Sequence, residues 1–251
     1  MNVLKVLITG IFLTLNVIAQ DITTKWANES EAGLTSTQSA QSSALDTNLY
    51  YGKHKTTVEK GSNTLSVFGN YFYGKQGDEL NARNWMAGFK WDKAYSEKLK
   101  AFLAETVEGN RFMGYVLRSN TDIGAKYYFL TQEEPKDLDY FFAELGYRLS
   151  YEDLTNNRTG ANSTSNQGRA YSEYSKAWTA TFSSKLWVEY IKTFGNDNRD
   201  MLNSEISGLT KMSDILSMKA SYLVRYDDTL KDKGFERNTT TMLMVALIAN
   251  Y

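Results

Sequence analysis

Leu216-Ser-Met-Lys-Ala-Ser-Tyr-Leu-Val-Arg-Tyr226 is the stretch on which the fold turns. In an extended chain, successive side chains point to opposite sides. Leu216, Met218, Ala220, Tyr222, Val224 and Tyr226 then share one face, and Ser217, Lys219, Ser221, Leu223 and Arg225 share the other. Wound as a helix, the same residues would scatter their charges round the whole circumference and leave no apolar stripe. The segment is a strand with one face suited to lipid and one suited to water.

The same alternation recurs upstream. Phe141, Ala143, Leu145, Tyr147, Leu149 and Tyr151 alternate with Phe142, Glu144, Gly146, Arg148, Ser150 and Glu152. Leu117 to Phe129 alternates with Arg118, Asn120, Asp122, Gly124, Lys126 and Tyr128. Trp85, Ala87, Phe89 and Trp91 alternate with Asn84, Met86, Gly88 and Lys90, and Leu45, Thr47, Leu49 and Tyr51 with Asp46, Asn48 and Tyr50. Read this way, the chain holds about twelve strands, near 26–37, 43–55, 63–74, 81–93, 98–107, 115–129, 138–152, 168–180, 185–194, 201–211, 215–226 and 239–251. In 98–107 and 201–211 the two faces are poorly separated, and Lys176 falls on the apolar face of 168–180, against that register. The pattern predicts an all-β fold, a transmembrane up-and-down antiparallel β-barrel. Only every second strand residue of such a barrel meets lipid, so the chain's negative mean hydropathy is no obstacle.

Composition points the same way. The 251 residues include 17 Tyr, 12 Phe and 5 Trp, a single proline (Pro135) and no cysteine. Paired strands have little room for a residue that cannot donate to the ladder. The lack of cysteine excludes a disulfide framework, a thiolate metal site and a lipid-modified N-terminal cysteine. A net charge of -1 gives no reason to expect nucleic acid as a partner. Lys5 followed by the apolar run Val6 to Val17, with Val17-Ile18-Ala19 at the cleavage positions, predicts a signal peptide over 1–19. A short periplasmic segment over 20–25 and a barrel over 26–251 would follow.

Turn lengths give an independent expectation. Ala94–Glu97, Thr181–Ser184 and Met212–Asp214 are short, as periplasmic turns should be, whereas Asp153–Gln167 and Asp227–Asn238 are the longest connections. The turn around Gln132–Asp137, which holds Pro135, is the exception. Trp91, Phe129 and Tyr51 fall near expected periplasmic strand ends, and Tyr151, Tyr226, Tyr73 and Trp85 near outer ends, as in aromatic girdles. The chain ends on Tyr251 after alternating Leu243, Val245, Leu247 and Ala249. That ending is similar to the signal read by the barrel-assembly machinery.

Three stretches carry a family resemblance: Trp26-Ala-Asn-Glu-Ser-Glu-Ala-Gly33-Leu-Thr-Ser; Asn110-Arg111-Phe112 with Tyr115, Arg118 and Gly124; and Phe142-Ala-Glu144-Leu-Gly146-Tyr-Arg148 with Tyr151-Glu152. From Trp26 to Tyr251 the chain resembles the salt-induced outer-membrane protein family, also called domain of unknown function 481 (YdiY-like). The family often has Gly-Asn where this chain reads Ser36-Thr37-Gln38-Ser39. The resemblance implies a barrel in the Gram-negative outer membrane and no catalytic residues.

The residues themselves offer little chemistry. His54 is the single histidine, and in this reading it is a solvated residue at the periplasmic end of a strand, beside Lys53 and Lys55. A barrel enzyme would need it, since His moves protons near neutral pH. Gly195-Asn-Asp197-Asn-Arg-Asp200 reads as a turn rather than a calcium loop. No catalytic residue, metal or cofactor is expected. What remains is the lumen, into which Asp46, Lys90, Arg118, Asp122, Lys126, Glu144, Arg148, Glu152, Lys219 and Arg225 should point. Both signs occur, which favours a salt-bridged plug over a charge-selective pore. The expectation is a monomeric outer-membrane barrel in contact with lipid and lipopolysaccharide, with a structural or envelope-stress role. A small passive pore and a soluble periplasmic β binding protein are the alternatives.

Overall fold

The computed structural model describes residues 24–38, 47–76, 79–110, 115–130, 139–154, 162–195, 199–231 and 236–250. The strands are β1 (Thr24–Gln38), β2 (Thr47–Lys60), β3 (Asn63–Gln76), β4 (Glu79–Ala94), β5 (Leu99–Asn110), β6 (Tyr115–Leu130), β7 (Tyr140–Leu154), β8 (Ser163–Ala177), β9 (Phe182–Phe194), β10 (Asp200–Lys211), β11 (Leu216–Asp227) and β12 (Thr239–Asn250). Each pairs antiparallel with its neighbours in sequence, and β12 pairs with β1, so the sheet is a closed barrel. The twelve-strand up-and-down expectation is met.

The strands are strongly tilted. Hydrogen-bonded partners can be followed from Thr24 through Lys60, Asn63, Lys93, Ala101, Ala125, Leu145, Ala170, Tyr190, Leu202 and Tyr226 to Thr239. This circuit starts at the first residue of β1 and returns beside its last. The stagger is about 16 residues, which tilts twelve strands by roughly 45°.

Three turns between even- and odd-numbered strands use one device. Tyr95 and Ser96 donate to the Leu99 carbonyl, Trp178 and Thr179 to that of Phe182, and Met212 and Ser213 to that of Leu216. In each, the Ser or Thr hydroxyl accepts from the first amide of the next strand, at 3.0, 2.9 and 3.1 Å. The β2–β3 turn is tighter: Gly61-Ser62 with Gly61 at φ 57°, a left-handed position that glycine occupies at little cost. That turn corrects an expectation. β2 runs to Lys60 rather than ending at 55, so His54 lies within the strand and not at its end.

Two face assignments resolve. Along β2 the expected faces are reversed: Tyr50 is 68% exposed outside, and Tyr51 is 5% exposed inside. The Tyr51 hydroxyl donates to Glu31 Oε1 at 2.6 Å, and a buried phenol needs such a partner. Tyr51 is therefore no part of an aromatic girdle. Asp46, assigned to the lumen from the same pattern, lies outside the described residues, as does Tyr251. On β8 the suspect register is correct. Lys176 does point outward, at the end of the strand, where its ammonium lies 3.5 Å from Asp139 and 5.9 Å from the Trp178 ring centre. A long lysine at a barrel rim reaches water this way.

The blurred faces of β5 also have a cause. Glu105 shares the outer face with Leu103 and Val107, and accepts from Ser119 Oγ and Thr121 Oγ1 of β6 at 2.5 Å each. Inside, the Phe102 ring lies over Gly124 and Gly146, a directly opposed pair on β6 and β7. A Cβ at Gly124 would sit 2.2 Å from the Leu145 carbonyl oxygen and 2.7 Å from Phe102 Cζ. Gly124→Val should therefore force both the β7 backbone and the ring away and destabilise the barrel by about 2–3 kcal/mol, read as a lower urea midpoint for loss of heat-modifiable gel mobility.

Candidate functional site

The lumen has two chemically distinct walls. On one, inward residues of β2, β3, β11 and β12 form an apolar cluster of Tyr51, Phe72, Leu223, Met242, Met244 and Ala246. Trp187 of β9 packs against that cluster and stacks on Tyr171, ring centres 6.0 Å apart. Tyr171 in turn meets Phe142 at 5.9 Å. A chain of rings thus links the apolar wall to the charged one.

The charged wall centres on Glu144 of β7, which is 1% exposed. Its Oε1 takes Lys90 of β4, in a close ion pair, and Lys126 of β6 at 3.2 Å; its Oε2 takes Arg169 of β8 at 2.9 Å. Lys126 also lies 3.4 Å from Asp92. Arg169 Nε reaches Glu189 of β9 at 2.6 Å. Arg148 binds Asp122 through two bonds of 2.7 and 2.9 Å and meets Glu189 at 3.4 Å. Asn203 of β10 donates to the other Glu189 oxygen at 2.9 Å. The network runs from β4 to β10. Carboxylates withdrawn from water need this many donors, because an unpaired buried charge costs several kcal/mol.

Two smaller groups flank it. Glu31 of β1 accepts from Tyr51 and lies 3.5 Å from Lys219 and 3.7 Å from Lys53, while Lys219 also meets Glu205 at 3.0 Å. Glu152 binds Arg118 at 2.7 Å and Arg199 at 3.3 Å, with Arg118 reaching Glu108 at 3.1 Å and Arg199 pairing closely with Asp227. This last group lies at the opposite end from the short turns. Arg225 is on the inward face of β11 but exposed and outside all three groups. Among the described residues, no cluster of His, Asp or Glu is arranged to hold a metal ion.

The model of a family described as "Protein of unknown function, DUF481" matches residues 30–250. The chain belongs to that family. No curated protein matches the sequence. Among solved structures, the DUF481 chain is similar to the NanC porin, with a TM-score of 0.57 at 7% identity over 88% of this chain and 98% of that one. It is also similar to an outer membrane channel from Pseudomonas putida F1, with a TM-score of 0.52 at 10% identity over 94% and 100%. The KdgM porin gives 0.50 at 6% identity over 88% and 98%. At such identities the likeness is one of fold.

Of the lumen residues expected from sequence, Lys90, Arg118, Asp122, Lys126, Glu144, Arg148, Glu152 and Lys219 all enter these groups. Arg169, Glu189 and Glu31 were missed. On β8, anchoring the register on an outward Lys176 would have turned Arg169 inward. On β9, inward Trp187 and Ile191 flank Glu189 and mask the alternation. Arg199 lies just before β10, where no periodicity speaks. Removing the central anion should expose the dependence of the rest: Glu144→Gln in this DUF481 chain leaves Lys90, Lys126 and Arg169 crowded together. A loss of about 3–5 kcal/mol is expected, measured by urea unfolding in detergent, with Asp214→Asn in an exposed turn as the neutral reference.

Proposed function

We propose that this protein is a monomeric outer-membrane barrel closed at mid-height by its own side chains, with a structural role in the envelope under osmotic or salt stress. The observation that carries the closed lumen is the convergence of Lys90, Lys126 and Arg169 on a Glu144 that is almost wholly withdrawn from solvent. Trp187, packed against the apolar cluster inside the lumen, supports the same reading. A pore would keep such groups solvated and share one sign of charge along its path.

The membrane placement rests on the outer wall. Ile123, Leu145, Leu243, Val245 and Leu247 are all half or more exposed there, on a face with no partner inside the barrel. Water would make that wall an aggregation surface, whereas lipid makes it favourable. Exposed Trp91, Trp178 and Phe129 at one end and Trp85, Tyr151 and Tyr226 at the other suit two interfaces. The partners would be outer-membrane lipids and lipopolysaccharide, with the barrel-assembly machinery during biogenesis. A soluble β binding protein would have no use for such a wall.

A small passive pore is the second reading, favoured by the fold shared with porins. Planar-bilayer recording separates the two. The wild-type protein should be silent over the accessible voltage range, and Glu144→Ala with Arg169→Ala should produce discrete openings. Steady unitary conductance from the wild type would establish the pore instead.

A further inference from the structure

The outer wall is apolar over most of its circumference, but not where β1 meets β2. There two consecutive cross-strand pairs face outward, Ser30 opposite His54 and Asn28 opposite Thr56. They belong to the same even-numbered face as exposed Trp26, Leu34 and Tyr50. The four side chains form one hydrogen-bonded line. Ser30 Oγ is 2.8 Å from His54 Nδ1, His54 Nε2 is 3.1 Å from Thr56 Oγ1, and the Thr56 hydroxyl donates to Asn28 Oδ1 at 2.8 Å.

The direction of that line fixes the tautomer. Because Thr56 spends its proton on Asn28, its oxygen accepts from His54 Nε2–H. Nδ1 is then the ring's acceptor, and the Ser30 hydroxyl donates to it. A serine hydrogen-bonded to an imidazole whose far nitrogen is held by a third group is the arrangement that activates a serine nucleophile. Four polar groups in a lipid-facing wall are costly relative to leucine and are a functional signal there.

Beside the line lies a cavity of about 350 Å³, lined by outward Trp26 and Asn28, by Ala27, Glu29, Lys55 and Thr57 of the inward face, and by Asn250. It sits where β12 runs out: the last described pair is Glu29 with Asn250, so the β12 side of Thr24–Ala27 has no strand partner among the described residues. Asn28 Nδ2, on the same outward face, is the donor offered to an oxyanion. In the other direction along the wall, Leu34, Val245 and Leu247 offer an apolar track.

We propose that Ser30 and His54, positioned by Thr56 and Asn28 on the outer wall beside this cavity, hydrolyse an acyl ester of a glycerophospholipid. The acyl chain would follow the Leu34–Leu247 track, with the headgroup toward Asn28 and the cavity. Ser30 Oγ bonds to the acyl carbon and its proton passes to His54 Nδ1. The ester C–O bond then breaks, and the departing lipid hydroxyl takes that proton. Water attacks the acyl-serine, again giving its proton to Nδ1, and the fatty acid leaves with Ser30 restored. This activity is independent of whether the lumen conducts.

The test uses the folded full-length barrel in detergent, so it does not depend on which membrane the protein occupies. A fluorophosphonate probe should label Ser30, located by peptide mass spectrometry, and phosphatidylglycerol in mixed micelles should release fatty acid. Ser30→Ala and His54→Ala should each reduce turnover at least about 100-fold while keeping heat-modifiable mobility. Thr56→Val should lower kcat more than it raises KM and displace the acidic limb of the pH–rate profile, and Thr56→Ser should restore both. If Ser30→Ala does not fold, Ser30→Cys tests the same position with an iodoacetamide probe, whose labelling should fall with His54→Ala. Wild-type barrel that neither labels nor releases fatty acid overturns the proposal, as does turnover that survives Ser30→Ala.

Discussion

Backbone hydrogen bonding between β12 and β1 is the constraint from which the rest follows. In lipid, a strand edge has no water to satisfy its amides and carbonyls, so a sheet that crosses a membrane must close on itself. Closure with twelve strands and a stagger of about 16 residues fixes the tilt, and with it the width of the interior. That width is too large for one layer of small side chains to fill and small enough for long ones to meet across it. Lys90 reaches from β4 to Glu144 on β7, and Trp187 reaches from β9 to the cluster on β2, β3, β11 and β12.

The closed sheet also inverts the usual arrangement of a protein. The outer wall is largely apolar, and a network of charges lies inside, withdrawn from solvent. The interior must therefore be held by electrostatics and by rings rather than by aliphatic burial alone. Glu144 and Glu189 are each met by more than one cation, and Arg148 and Arg169 join Glu144, Asp122 and Glu189 into one connected structure. Such a network gains its strength from being complete, since a partly satisfied one is worse than none. The apolar cluster opposite it needs no partners of that kind. The two walls divide the lumen between them.

Two polar departures from the apolar outer wall differ in kind. Glu105 is satisfied by two hydroxyls of the adjacent strand and stands among bulky residues. The Ser30–His54–Thr56–Asn28 line lies at the seam where β12 ends, next to a cavity. The first is a contained polar group, and the second is an accessible one.

Period-two alternation by itself determined the fold class, the strand count and most of the inward charges, because strand side chains alternate whatever the tertiary context. Turn chemistry at Tyr95-Ser96, Trp178-Thr179 and Met212-Ser213 was equally local. Where both faces of a strand carry polar and aromatic residues, alternation loses its sign. That is why Tyr51 was assigned outward, although only its hydroxyl reaching Glu31 of β1 decides that it points in. His54 shows the same limit. A histidine between two lysines reads as a solvated turn, and nothing in its own strand says otherwise. Only pairing with β1 sets Ser30 against its ring and Asn28 against Thr56. Those residues are more than twenty positions away along the chain, and register between strands is a property of the closed sheet rather than of either segment alone.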